Sequence, residues 1–98
     1  MPRISVIIPT YNCANYLGVA IRSVLAQDCD DVEILVVDDG STDHTPDIVS
    51  GFGDQIRYLR QENSGTAAAR NRGIEASSGS YIAFLDADDI WLPGKLRA

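Results

Sequence analysis

Apolar residues along this chain alternate between short runs and longer stretches in which they recur every third or fourth position. Ile4 to Ile8 is a short apolar run ended by Pro9, the pattern of a buried parallel strand rather than a half-exposed one. From about Asn15 the period changes. Leu17, Ala20, Ile21, Val24 and Leu25 fall at i, i+3, i+4, i+7 and i+8, one stripe of an amphipathic helix that would lie on a sheet. Val32–Val37 predicts a second strand. Thr45 as N-cap and Pro46 as first helical residue predict a short helix to about Phe52. A weaker strand is expected at Ile56–Leu59, and a third helix from about Thr66 to Ala76, stopped by Ser77-Ser78-Gly79. Its Ala67-Ala68-Ala69 start permits close backbone approach to a sheet or ligand. Tyr81–Leu85 is the fourth strand.

Strands that alternate with helices imply right-handed crossovers and an open, Rossmann-like parallel α/β sheet, with the order 3-2-1-4 expected. That order sets strands 2 and 4 on either side of strand 1. Their carboxyl ends carry the chemistry. The fourth strand runs into Asp86-Ala87-Asp88-Asp89 and the second into Asp38-Asp39-Gly40-Ser41, with Pro9-Thr10-Tyr11-Asn12 between them on the same edge. Three carboxylates within four residues repel one another unless a cation or a set of donors neutralises them. Mg²⁺ or Mn²⁺ suits such a site, because these hard ions take oxygen ligands and are held by one or two carboxylates plus substrate phosphates. An Asp-rich turn is also an ordinary way to cap a helix, so the tetrad alone does not decide. The second acidic pair tips the balance, since ligands in open α/β sheets bind along the carboxyl edge.

Composition narrows the partners. The 98 residues carry 14 Asp and Glu against 8 Lys and Arg, a formal net charge of −6 that excludes a phosphate-backbone surface and hence nucleic acid. No stretch approaches the roughly 20 apolar residues of a membrane span, and Met1-Pro2-Arg3 lacks a signal-peptide pattern, so a cytoplasmic location, or the cytoplasmic face of a membrane, is expected. Cys13 and Cys29 have no metal-ligand spacing and are expected to be free, buried thiols. Pro93 is suited to start a helix that has only about one turn before Ala98.

Four segments, Ile4–Asn12, Val36–Asp43, Ala69-Arg70-Asn71-Arg72-Gly73 and Phe84–Asp89, together resemble glycosyltransferase family 2, of the GT-A fold. The resemblance implies an inverting transferase that uses a nucleotide-diphospho sugar, most often a UDP-sugar, with Mn²⁺ or Mg²⁺. By that likeness Asp39 would accept from the uracil N3–H, with Asp38 supporting its loop, and Pro9, Thr10 and Tyr11 would line the base and ribose. Asp86 would face the ribose or stand beside the metal, and Asp88 would ligate the metal that bridges the phosphates. Other residues stay open. Arg70 either reaches the crevice or makes a surface salt bridge; Tyr11 either packs in the core or stacks on a base. Asp89 is expected to cap the Ile90–Pro93 turn, and Trp91 to pack rather than receive an acceptor.

In the resembled family the general base is an Asp or Glu well beyond the acidic tetrad. No catalytic residue is therefore assigned within 1–98, and the base is expected beyond Ala98. The chain reads as a donor-binding region truncated before an acceptor-binding half, inactive in transfer alone and open to self-association through bared apolar surface. The alternative is a non-catalytic nucleotide or metal-binding module that acts with a partner chain. A phosphoacceptor receiver is set aside, because it needs an acidic pair after the first strand.

Overall fold

The computed structural model of the protein describes residues 4–27 and 31–92. Cys29 and the helix expected from Pro93 lie outside the described residues. Four parallel strands, β1 (Ile4–Thr10), β2 (Val32–Asp38), β3 (Ile56–Arg60) and β4 (Tyr81–Phe84), form one sheet in the order β3-β2-β1-β4. The helices are α1 (Ala14–Leu25), α2 (Thr45–Ser50) and α3 (Thr66–Ala76), with a 3₁₀ turn at Gly53–Gln55. The expected sheet and order are those observed.

Strand alternation sorts the core into two layers. Val6, Ile8, Ile34 and Val36 point to one face, where they meet Leu17, Ala20, Ile21 and Val24 of α1 and Val49 of α2. Ile7 and Val37 point to the other face and meet Ala69 of α3. Side chains such as Leu17 and Ile21, fully buried, each stabilise the fold by about 1.5–3 kcal/mol. Leu25, expected on the α1 stripe, is 39% exposed at the end of the helix. In α3 the close approach is made by Ala69 and Gly73, while Ala67 is exposed: a Cβ on Gly73 would sit 2.5 Å from Cγ2 of Ile7, so α3 can lie on β1 only with glycine there.

Several boundaries shift by a residue or two from the sequence pattern, among them the end of α2 at Ser50, and three of the shifts have a physical reason. β1 does not end at Ile8 but continues through Pro9 to Thr10. Ile4 N–H donates to Asp31 and Thr10 C=O accepts from Asp39 on the β2 side, whereas Ile7 C=O accepts from Leu85 on the β4 side. Alternation puts the Pro9 nitrogen on the β4 side, where pairing has ended at Ile7–Phe84, so its missing N–H breaks no bond. Thr45 is the first residue of α2 rather than its cap, and His44 occupies the cap position. The capping bonds come from Asp43, whose Oδ1 accepts from the Thr45 N–H at 3.0 Å and the Thr45 hydroxyl at 2.6 Å. Finally, Leu85 belongs to the turn beyond β4, although its N–H still reaches Ile7.

The amino edge of the sheet carries a polar knot. Glu33 accepts from the Ser5 hydroxyl at 2.6 Å, the Ser78 N–H at 2.6 Å and Arg57 at 2.8 Å, and Arg57 also donates to Ala76 C=O. Burial pushes the Glu33 carboxyl up, but these donors and the Arg57 charge outweigh it and hold it below the usual range. This knot pins the turn between α3 and β4. Among the described residues no helix is long and apolar enough to cross a membrane.

Candidate nucleotide and metal site

At the carboxyl edge, the turns after β1 and β2 are stitched together. Asp39 N–H donates to Thr10 C=O at 2.8 Å, Asn12 N–H to the Ser41 hydroxyl at 2.9 Å and Thr42 N–H to Asn12 Oδ1 at 2.8 Å. Asn12 holds this position at φ +50°, a conformation that Asn tolerates better than most residues. Asp43 Oδ2 adds a bond from Ala14 N–H at 3.1 Å, so one carboxylate caps the starts of both α1 and α2. Burial pushes Asp43 up, yet its bonds to Thr45 and Ala14, with a smaller contribution from nearby His44, leave it below its ordinary value. A carboxyl so engaged is a structural anchor.

Asp38 is fully buried and its oxygens are spoken for. Oδ1 accepts from Ser41 N–H at 2.8 Å; Oδ2 accepts from the Tyr58 hydroxyl and from Arg60 Nη1 at 2.9 Å. Arg60 also donates through Nη2 to Ser41 C=O at 2.7 Å. Burial first, and then the bond to Asp38, push the Tyr58 hydroxyl up, which keeps it protonated as a donor.

Asp39 is nearly as buried, at 4% exposure, and faces the 61–65 loop. Oδ1 accepts from Gln61 Nε2 and from Ser64 N–H, both at 2.8 Å; Oδ2 accepts from Gly65 N–H at 2.9 Å and, at 3.4 Å, from Asn63 Nδ2. Burial pushes this carboxyl up, but the bonds from Gln61, Ser64 and Gly65 overcome it and hold Asp39 below its usual range. Gly40 makes the contact possible. At φ +80°, a Cβ there would meet Asn63 N at 2.9 Å.

The tetrad after β4 is different. One oxygen from each of Asp86, Asp88 and Asp89 lies within 4.8 Å of the others, and all three residues are exposed. A turn bond from Asp89 N–H to Asp86 C=O at 2.9 Å gathers them. Asp89, expected only to cap a turn, thus brings its carboxylate into the cluster. Arg70 resolves to a position that serves both alternatives: Nη2 lies 3.5 Å from Asp86 Oδ1, and the guanidinium sits 5.7 Å from the centroid of the Phe84 ring. Arg70, Phe84, Asp86, Asp89, Ile90 and Trp91 line a cleft of about 400 Å³. Exposed hard oxygens at this spacing fit a divalent cation.

Other expected residues fall in distinct places. Pro9 is buried, and Thr10, 2% exposed, donates its hydroxyl to Ile8 C=O. Tyr11 is 49% exposed, which rules out the core-aromatic alternative. Trp91 is half-buried against the α1 layer as expected, held by its N–H to the Ser23 hydroxyl, while Gln27 reaches Leu92 C=O. Sequence reasoning missed Tyr58, Arg60, Gln61 and Asn63. One signal was present: a polar loop rich in donors follows the edge strand next to β2, whose end is acidic.

Known proteins share the sequence pattern and the fold. The Glycosyl transferase family 2 model matches residues 5–98. An uncharacterized glycosyltransferase of Nostoc is 50% identical over 97% of the chain, and glycosyltransferase GlyA of Streptococcus pneumoniae is 44% identical over 92%. Among solved structures, TarS 1-349 of S. aureus in complex with UDP-GlcNAc superposes with a TM-score of 0.92 at 33% identity over 97% of the chain. A mannosyltransferase of Pyrobaculum calidifontis in complex with GDP-Man and Mn²⁺ gives 0.84 at 32% identity over 92%. The chain spans 31% and 13% of the two relatives and 29% and 28% of the two structures. Family model, relatives and fold agree, and the chain belongs to glycosyltransferase family 2.

Proposed function

We propose that residues 1–98 are the donor-binding region of an inverting, metal-dependent glycosyltransferase that transfers a sugar from a UDP-sugar to an acceptor. The observation that carries this reading is the open cluster of Asp86, Asp88 and Asp89 beside the stitched turns of β1 and β2. In it, Asp88 and Asp86 hold Mn²⁺ or Mg²⁺, and Asp89 lies within reach of the same ion. Such an ion, when bound, neutralises the charge that gathers on a departing diphosphate. Asp39 accepts from the base edge, Asp38 holds Asp39's loop, and Tyr11 offers its exposed ring to the base or ribose. Arg70 offsets the acidic charge from the α3 side.

An inverting transfer also needs a general base beside the acceptor hydroxyl. Asp43 is committed to capping, and the family likeness assigns the base to an Asp or Glu well beyond the acidic tetrad. Exposed apolar side chains on β4, Tyr81, Ile82 and Phe84, are a surface for that further sequence or for self-association.

The metal-binding module without chemistry shares the donor site and differs only in lacking the base. The donor reading is tested by calorimetry of UDP, CDP and ADP with Mn²⁺ present. Asp39→Ala should weaken UDP binding by about 1–3 kcal/mol, the cost of losing a hydrogen bond to a charged group. A variant that binds all three as the native chain does would reduce Asp39 to a turn residue.

A further inference from the structure

The donors around Asp39 are unevenly distributed between its two oxygens, and this bears on which base the site accepts. A carboxylate oxygen has about two acceptor positions. Both positions of Oδ1 are filled at 2.8 Å, by Gln61 Nε2 and Ser64 N–H. At Oδ2 only the Gly65 N–H is close, at 2.9 Å, because Asn63 Nδ2 stands off at 3.4 Å and makes its shorter bond, 3.1 Å, to the Asp39 carbonyl. The Asn63 contact on Oδ2 is the longest of the four to this 4%-exposed carboxylate, so Oδ2 is where a ligand that moves the Asn63 side chain would find an acceptor position.

Resting on the donor-site reading above, we infer that Gln61 is a specificity-determining residue that makes Asp39 a single-acceptor reader and so selects uracil over guanine. Uracil presents one imide N–H flanked by carbonyls, and one free acceptor satisfies it. Guanine presents N1–H and the 2-amino group side by side and needs both carboxylate oxygens to satisfy them. With Oδ1 filled, one guanine donor is left desolvated without a partner, a penalty that uracil avoids. Of the two donors on Oδ1, the Ser64 N–H is fixed by the backbone. Gln61 is the one that evolution or mutagenesis can remove.

The test compares UDP and GDP binding to the 98-residue chain with Mn²⁺ present, in native protein, Gln61→Leu and Gln61→Lys. Purine size and phosphate contacts enter every measurement and cancel in the change of the GDP-to-UDP affinity ratio. Removing the donor in Gln61→Leu should raise that ratio about tenfold, the effect of one added hydrogen bond to a charged acceptor. Gln61→Lys, which restores a donor, should return the ratio toward the native value, a rescue that a merely structural role for Gln61 would not produce. If Gln61→Leu weakens both nucleotides by the same factor, or if native protein prefers GDP, the inference is overturned while the donor site stands. Failure of native protein to bind either nucleotide would overturn the donor-site reading and this inference with it.

Discussion

Asp38 and Asp39 lie buried at the end of β2 with both carboxylates accepting from named donors, whereas Asp86, Asp88 and Asp89, one turn beyond β4, stand exposed with Arg70 as their ion-pair partner among the described residues. Both groups end a parallel strand on the same edge. They differ in who neutralises them. The β2 pair is neutralised by the chain's own hydrogen bonds from Arg60, Tyr58, Gln61 and the 64–65 amides, so its geometry is set before any ligand arrives. Arg70, at 3.5 Å from one of three carboxylates, leaves the β4 cluster with charge to spare. Pre-formed hydrogen bonding suits recognition of a base, and unspent charge suits a cation.

The largest effect that could break this contrast is on stability. Asp38→Ala strands the Tyr58 hydroxyl, the Ser41 N–H and Arg60, and should cost about 3 kcal/mol in denaturant unfolding, with Arg60's access to water keeping it from costing more. A loss below about 1 kcal/mol would mean that the β2 pair is not held as described.

Acid tests the hydrogen-bonded side of the contrast at Asp39 next. Asp39, Asp43 and Glu33 all have folded values below their ordinary ones. A depressed carboxylate contributes stability that is fully present above its unfolded value, near pH 4, and is lost as pH falls through the folded value. Asp39→Asn should therefore lose less stability than native protein on acidification from about pH 4 to pH 2, and parallel curves would contradict the hydrogen-bonded account of Asp39.

The smallest effect concerns the open cluster. Asp88→Ala should change stability by no more than about 0.5 kcal/mol in metal-free buffer, since an exposed carboxylate among like charges stabilises nothing. A large destabilisation would place Asp88 in the fold rather than in a site.

The same contrast explains what could be read from sequence. Strands and their order were legible because Val6–Ile8 and Ile34–Val37 are unbroken apolar runs and each ends in chemistry. The acidic cluster after β4 was legible as a cluster because charge density is a local property. The donors to Asp39 were not, because Gln61, Ser64 and Gly65 come from a loop that reaches it only after β3 pairs beside β2. Asp43 was likewise misjudged in favour of Thr45, since sequence alone does not show a carboxylate shared by two helix starts. Gly73 reads as an indifferent helix residue until Ile7 is known to lie beneath it.

In the proposed donor site a metal and a nucleotide complete the β4 cluster together. Titration of Mn²⁺ into native protein and Asp88→Ala, each with and without UDP, tests this most directly. Mn²⁺ should bind weakly alone and more tightly with UDP as phosphates complete the shell, and Asp88→Ala should lose that gain. Equal Mn²⁺ affinity with and without UDP, or an unaltered Asp88→Ala, would contradict it.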